Sequence, residues 1–351
     1  MKRGKKNAGA LRLLAALAVS LTLLISTAAA QVENSVADQL AKALQNYVTA
    51  DFDDGITITQ PLLKRNDLQN RDSVAIFAVM SMLTYGKGQA YLEKSFEYLK
   101  KIAGVGPCVM PLPYEFWPQE IRDHWYKLLH DQNQLVCPEE GDVPIKTIAV
   151  MEFDNYSTGK YQEELGFITK GLAEFFEADF SKLSDLQVVE RDKIDFLLKE
   201  IQLSQAGMVD QSTAVRVGKL LGAQIMVFGS LTQLDGKNAK MLVKAVKVET
   251  SEIIASVERE GKPEYFQMEK ELVKELAAKL DLTLNKETEQ AIDAGGTSSM
   301  DAATMYSKGL FYQDKYEYAQ AYEFFKKAYE MDNTFAEAKR KMEIYKPLAL
   351  S

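Results

Sequence analysis

Hydrophobic positions along the chain recur at two different periods, and the change between them divides it. From about residue 37 to residue 129 the apolar side chains fall at helical spacing. Leu40, Ala43, Leu44, Tyr47 and Val48 mark one helix within Ala37–Ala50. Ile56–Lys64, Asp72–Thr84 and Ala90–Ile102 repeat the pattern, separated by short polar turns such as Gly86-Lys87-Gly88. No strand pattern intervenes, so this series predicts a helical repeat of tetratricopeptide-like period. Pro107, Pro111, Pro113 and Pro118 then interrupt the period, and Trp117 opens a last helix through about Leu129.

Strand-like runs begin at Thr147. Thr147–Phe153 is short, apolar and β-rich, and the turn residues Asp154–Gly159 lead from it into a helix-period segment over Glu163–Leu183. Leu186–Val189 is a second strand, and a helix follows from Glu190-Arg191-Asp192 through Lys199. A third helix over Ser212–Leu221 ends at Gly222. Gln224–Leu231 is nearly unbroken in its apolar character, which predicts a strand buried on both faces. Lys240–Val248 and Ile253–Glu258 flank the polar turn Glu249-Thr250-Ser251-Glu252 as a hairpin. Alternating strands and helices predict one α/β domain over 145–282, closed by a helix from Pro263 with Phe266, Leu272, Val273, Leu276 and Leu280 on its apolar face.

Periodicity is lost over 283–300, where Ala294–Ser299 is composed like a flexible linker. Residues 301–334 then match one tetratricopeptide repeat. Gly309, Tyr312, Tyr318, Ala321, Phe325 and Ala328 stand at the repeat's spacing, with Asn333 where proline is usual. Phe335–Tyr345 forms a capping helix, giving a unit of 301–348. One repeat cannot bury its own faces, so it must dock on the rest of the chain, on another subunit or on a partner. Tyr306, Tyr316 and Tyr322 form a candidate partner-binding surface; core or docking contacts are the competing reading of the same residues.

The central domain also carries a family resemblance. Val188-Val189-Glu190-Arg191-Asp192-Lys193-Ile194, Leu197-Leu198-Lys199-Glu200 and Gln205-Ala206-Gly207-Met208-Val209-Asp210 follow one another in the order and spacing of the CsgG family. Gly218–Gln224 and Gly229-Ser230-Leu231-Thr232 continue the series. This resemblance implies a CsgG-like α/β sandwich for the central domain, and with the α-helical tetratricopeptide-like repeats that flank it the fold class is α+β. Family members include the curli secretion channel of the bacterial outer membrane, and relatives form rings through this domain. The resemblance therefore implies an envelope location and a homo-oligomer. The curli channel is lipid-anchored through a cysteine; no cysteine lies near residue 30 here, and the strand spacing leaves no room for membrane-crossing hairpins.

The first thirty residues have the three parts of a secretory signal: a basic start, an apolar run over Leu13–Ser26, and Ala28-Ala29-Ala30 before an expected cleavage. The apolar run is too short to span a bilayer comfortably, and no later stretch is long and apolar enough to do so. This makes 1–30 a signal peptide and 31–138 the helical repeat domain. Five basic residues (Lys2, Arg3, Lys5, Lys6, Arg12) and no acid lie in that segment, so the net charge of −8 falls to −13 once it is removed. A chain this acidic does not suit phosphate backbones, where Lys and Arg must displace counterions, so nucleic acid is excluded as a partner. The two cysteines, Cys108 and Cys137, flank the last helix of the first domain. In an oxidising compartment an even pair favours a disulfide, worth about 3–4 kcal/mol on the chain-entropy model.

No set of residues carries a recognisable chemistry. His124 and His130 are six apart, off the i, i+4 spacing of a shared helix face, and no HExxH or GxSxG occurs. Gly159-Lys160 lacks the rest of a phosphate loop, and Gly104-Val105-Gly106 lacks a third glycine and runs into Pro107. Glu190, Arg191 and Asp192 cluster at a strand end; acidic groups there are explained by capping of the following helix. The sequence thus assigns no catalytic, cofactor or metal residues and no cofactor. It points to a non-enzymatic periplasmic or outer-membrane-associated scaffold that binds protein partners in envelope assembly or secretion. Regulation of cell-wall synthesis enzymes is the alternative, since some penicillin-binding-protein activators are similar to this fold.

Overall fold

The structure, a computed structural model, describes residues 35–110, 112, 116–132, 134, 146–200 and 211–350. The expected signal segment, Cys137 and the motif at Gln205–Asp210 lie outside these residues. The chain divides into two compact units, one of Met1–Pro138 with Ile344–Ser351, the other of Glu139–Glu343.

The first unit is helical. It runs α1 (Val36–Thr49), α2 (Phe52–Thr59), α3 (Asn70–Gly86), α4 (Leu92–Val105) and α5 (Gln119–Asp131). Each helix packs on its sequence neighbour, and α1 also meets α3. The central helix α3 is buried almost all round, from Val74 to Leu83, as a helix with neighbours on both sides must be. A polar crossing to α4 is made by Ser81 and Ser95, whose hydroxyl oxygens lie 3.0 Å apart. Trp117 and Trp125, both fully buried, meet edge to face with ring centroids 6.0 Å apart and fill the base of α5.

The second unit is built on a mixed sheet: β1 (Lys146–Val150), β2 (Asp154–Asn155), β3 (Leu186–Val189), β4 (Ile225–Gln233), β5 (Ala239–Lys247) and β6 (Glu252–Gly261). Strand order is β3-β1-β4-β5-β6, with β2 also on β4. β1 pairs in parallel with β3 and β4, which requires helical crossovers; β4, β5 and β6 form an antiparallel meander. The crossovers are α6 (Lys160–Glu164) with α7 (Ile168–Phe180), and α8 (Arg191–Glu200) with α9 (Gln211–Leu221). The helix expected over Glu163–Leu183 is thus two, broken at Leu165–Phe167. Gly222, at φ +65°, closes α9 in the left-handed conformation that glycine adopts without penalty.

β4 departs from its expected burial. Ile225, Met226 and Val227 are buried, but from Phe228 onward alternate residues are half-exposed. The cause is partial cover. α9 packs on Met226 at one end, where a Cβ on Gly218 would come within 2.7 Å of its side chain. The remainder of that face (Phe228, Ser230, and Leu242 and Lys244 of β5) stays half-open. The opposite face is sealed by α7 and by α10 (Tyr265–Lys279), which packs on β5, β6 and α7.

After α10 the chain continues as α11 (Lys286–Ala294), α12 (Met300–Asp314), α13 (Tyr318–Met331) and α14 (Ala336–Leu350). The stretch expected as a linker therefore carries a helix. Asn285 caps α11 by accepting from the Thr288 N–H at 2.8 Å, and Ile292 is fully buried. Lys182 donates to the Ala291 carbonyl at 3.1 Å, Lys270 donates to the Ile292 carbonyl, and Lys274 pairs with Asp293 at 2.6 Å. The segment's small and polar composition hid these tethers, because all of them come from lysines elsewhere in the chain.

α12 and α13 form the expected helical pair. Gly309 lets the Phe325 ring approach to where a Cβ would stand 2.5 Å away. The pair does not stand alone: α12 docks on α7. Phe175 of α7 lies at the centre of the junction, with ring centroids 5.4 Å from Phe266, 5.8 Å from Tyr306 and 5.9 Å from Phe335.

Candidate functional site

The densest arrangement of charge in the second unit surrounds Arg191. β3 ends at Val189 and α8 begins at Arg191, which turns its guanidinium inward until only 2% of the side chain is exposed. It donates to Asp195 one turn along α8 (Nη1 to Oδ2, 2.5 Å), to Asp192 at 3.1 Å, to Glu174 of α7 at 3.0 Å, and to Asp314 at the end of α12 at 3.3 Å. Its backbone N–H, one of the unsatisfied donors at a helix start, is met by Glu177 of α7 at 2.9 Å. Lys170, also on α7, pairs with Asp314 at 2.7 Å and with Glu152 in the turn after β1. Lys341 of α14 reaches Glu174 at 3.2 Å, and the Tyr306 hydroxyl donates to the same carboxylate at 3.3 Å.

Six carboxyl groups (Glu152, Glu174, Glu177, Asp192, Asp195, Asp314) therefore face Arg191, Lys170 and Lys341. Proton uptake narrows the imbalance. Burial pushes Asp195 up to about 7 against the pull of Arg191 and Lys170. Burial, with Glu174 and Asp192 nearby, raises Glu177 well above the ordinary carboxylate range. Asp314 goes the other way: burial is outweighed by Arg191 and Lys170, which hold it down at about 2. For Glu174 burial is likewise overcome, by Lys341 and Arg191, and its carboxyl is held below the usual range. Burial works against the Lys170 ammonium too, but Asp195, Glu152 and Asp314 more than offset it and keep it charged.

Asp192, Asp195 and Asp314 bring ligand oxygens within 4.8 Å of one another, a spacing that a metal ion could use. Here the Arg191 guanidinium donates to all three. The arrangement is that of an arginine-centred ion cluster, and it ties α7, α8, α12 and α14 together. A second, smaller cluster lies where α7 meets α10. Asp179 pairs with Lys182 at 2.5 Å and Lys270 at 3.6 Å, while burial and the adjacent Asp179 carboxylate raise Glu269 well above the ordinary range.

The three tyrosines of the candidate surface do not stay together. Tyr306 is fully buried among Phe175, Phe325 and Phe335 and belongs to the core, which corrects its assignment to a binding face. Tyr316, at φ +63° in the turn between α12 and α13, is 39% exposed, and Tyr322 is half-buried on α13. Cys108 is disulfide-bonded, and its sequence partner Cys137 lies outside the described residues. His124 stacks on Phe96 with ring centroids 3.6 Å apart, and burial lowers its pKa, so it is a packed side chain. What sequence reasoning missed is the inward turn of Arg191. Its signal was present in the Glu-Arg-Asp triplet and in Asp195 one turn along, but the pairings with α7 and with Asp314, 123 residues away, have no local signature.

The open surfaces of this unit are apolar at several points. Tyr156 is 49% exposed, and Ile253 and Ile254 on the edge strand β6 are 44% and 41% exposed. Tyr156, Phe228, Leu242 and Ile253 line a shallow depression of about 240 Å³ on the half-open face of the sheet. No helix among the described residues is long and apolar enough to cross a membrane.

Residues 144–241 match the family model for the curli production assembly/transport component CsgG. No curated protein matches the chain. Solved structures that resemble it include the LpoB C-terminal domain from Salmonella enterica, at 17% identity over 39% of this chain and 94% of that one, with a TM-score of 0.26. The Escherichia coli LpoB C-terminal domain is similar at 17% identity, 39% and 96% coverage and a TM-score of 0.26. Lipoprotein GNA1162 from Neisseria meningitidis matches at 14% identity, 40% and 99% coverage and a TM-score of 0.26.

Proposed function

From a chain that carries a CsgG-type domain at residues 144–241, we propose a non-enzymatic scaffold of the bacterial cell envelope that binds other proteins during assembly or secretion. The observation that carries the reading is how the domain uses its charge. Its clustered carboxylates are engaged with Arg191 and Lys170 and lock a helical pair onto the α/β core. Titratable groups drawn inward for this purpose serve cohesion. Outside remain apolar side chains on the open sheet face and on the edge strand β6, the kind of surface that another protein covers.

In this reading the chain is exported through residues 1–30, the mature protein works in the periplasm or beside the outer membrane, and homo-oligomers form through the α/β domain. The decisive experiment is a pull-down from envelope fractions with tagged mature protein. Enrichment of secretion or surface-fibre components supports the proposal. Enrichment of penicillin-binding proteins instead favours regulation of cell-wall synthesis, and recovery of no envelope protein under crosslinking refutes the scaffold role. Light scattering on the same material tests the oligomer, and a strict monomer at high concentration counts against a channel-like role.

A further inference from the structure

Three lysines of the C-terminal helical pair rest on aromatic rings and have no carboxylate partner among the described residues. Lys308 Nζ lies 5.5 Å from the ring centroid of Phe167, Lys315 Nζ 3.9 Å from that of Phe311, and Lys327 Nζ 5.2 Å from that of Phe324. The rings form one continuous strip. Phe167 meets Phe311 edge to face at 5.4 Å, Phe311 meets Tyr312 at 5.4 Å, and Tyr312 stacks on Phe324 at 5.2 Å. Lys308, Phe311, Tyr312 and Lys315 occupy i, i+3, i+4 and i+7 of α12, a single helix face. The rings are half-buried, and Lys315 and Lys327 are exposed.

The cations turned toward the interior of the second unit, Lys170, Lys182, Lys270 and Arg191, are by contrast each taken up by carboxylates. Unpaired ammonium groups gathered on one strip of a chain with a net charge of −8 are a charge pattern complementary to an acid. Ring contact holds each ammonium in place by cation–π attraction without neutralising it. We infer that this strip is a docking surface for an acidic polypeptide segment. The inference rests on the protein-binding reading above and names the chemistry of one partner.

Geometry favours a peptide over an anionic glycan or a nucleic acid. Sugars and bases stack on open ring faces, and here lysines and neighbouring rings already lie against the aromatics. What the strip presents is a row of point charges between ring edges. Lys308 and Lys315 are two helical turns apart, roughly 10.5 Å of rise. Carboxylates three residues apart on a polyproline II segment, which has three residues per turn, share one face roughly 9 Å apart and match that spacing.

The test is fluorescence anisotropy with the full mature chain and a short labelled peptide carrying Glu at every third position among Ser and Leu. Binding is expected to weaken with salt and to be lost with a Gln-for-Glu peptide. Combined Lys308→Gln, Lys315→Gln and Lys327→Gln should lower the affinity at least about tenfold, whereas Lys237→Gln on the β4–β5 turn should leave it unchanged. Equal binding by the triple variant, or equal binding of the Gln peptide, would overturn the inference. So would binding of a heparin oligosaccharide in place of the peptide, which would assign the strip to a glycan. The wild-type pull-down can still succeed through other surfaces in any of these cases, so failure here is distinguishable from failure of the scaffold reading.

Discussion

Arg191 on α8 and Asp314 at the end of α12 stand 123 residues apart in the chain and 3.3 Å apart in space. With the Lys170–Asp314 pair at 2.7 Å beside it, this contact makes the C-terminal helical pair part of the α/β unit. A lone repeat needs something to stack against, and α7 provides it.

Replacing Arg191 tests the cluster directly. Arg191→Met removes the guanidinium and leaves several buried carboxylates facing one another, so a loss of about 3–5 kcal/mol is expected. Urea unfolding of the mature protein measures it. Asp314→Asn should be milder, because Arg191 keeps Asp195, Asp192 and Glu174. A loss below about 1 kcal/mol in Arg191→Met would mean that the cluster holds nothing together.

Stability should also depend on pH in two separate windows. Asp195 is raised from an ordinary 3.8 to about 7 in the folded state. Between those values the folded protein keeps a proton that the unfolded chain has released, so stability falls as pH rises from about 4 to about 7. Asp314, lowered to about 2, acts with the opposite sign: its contribution is complete above about 4 and is lost as pH falls toward 2. Asp195→Asn should make the first slope shallower, with Glu177 and Glu269, also raised by burial, supplying the remainder, and leave the second. An unchanged slope between pH 4 and 7 in that variant would show that Asp195 is not its source.

The α7–α12 contact depends on a missing side chain. A Cβ on Gly171 would stand 2.1 Å from Ser307 Oγ and 3.3 Å from Ser307 Cβ. Gly171→Ala should therefore destabilise by about 1–3 kcal/mol through overpacking. Adding Ser307→Ala removes the nearest atom, and the double variant should recover part of the loss. Absence of any recovery would place the strain elsewhere on α7.

We propose that Cys108 and Cys137 bridge each other. Non-reducing mass mapping should recover one linked peptide containing both, and two alkylatable thiols would refute the pairing.

Much of the architecture was legible in local pattern. The change from helical to strand period at Thr147 marks where the sheet begins, and the hairpin turn after Val248 stands where the sequence puts it. Three features were hidden, each for a physical reason. β4 opens on the unbroken apolar run Ile225–Phe228, yet the half-exposure of Phe228 is decided by how far α9 reaches across the sheet. The helix at Lys286–Ala294 has little apolar signal of its own and is held by lysines from α10 and from the turn after α7. Tyr306 resembles a surface residue by spacing on the repeat, but docking on α7 turns that face inward. The first depends on how neighbouring elements pack, and the other two on partners distant in sequence.

The order in which the ion cluster acquires its members bears on biogenesis. Glu152, Lys170, Glu174, Arg191 and Asp195 are synthesised near the middle of the chain, whereas Asp314 and Lys341 are added near the end. Until those last helices exist, Arg191 and Lys170 lack Asp314, Glu174 lacks Lys341, and Phe175 lacks its contacts with Tyr306 and Phe335. The cluster therefore starts from Arg191 with Glu174, Asp192 and Asp195 and is completed only when α12 and α14 have been made.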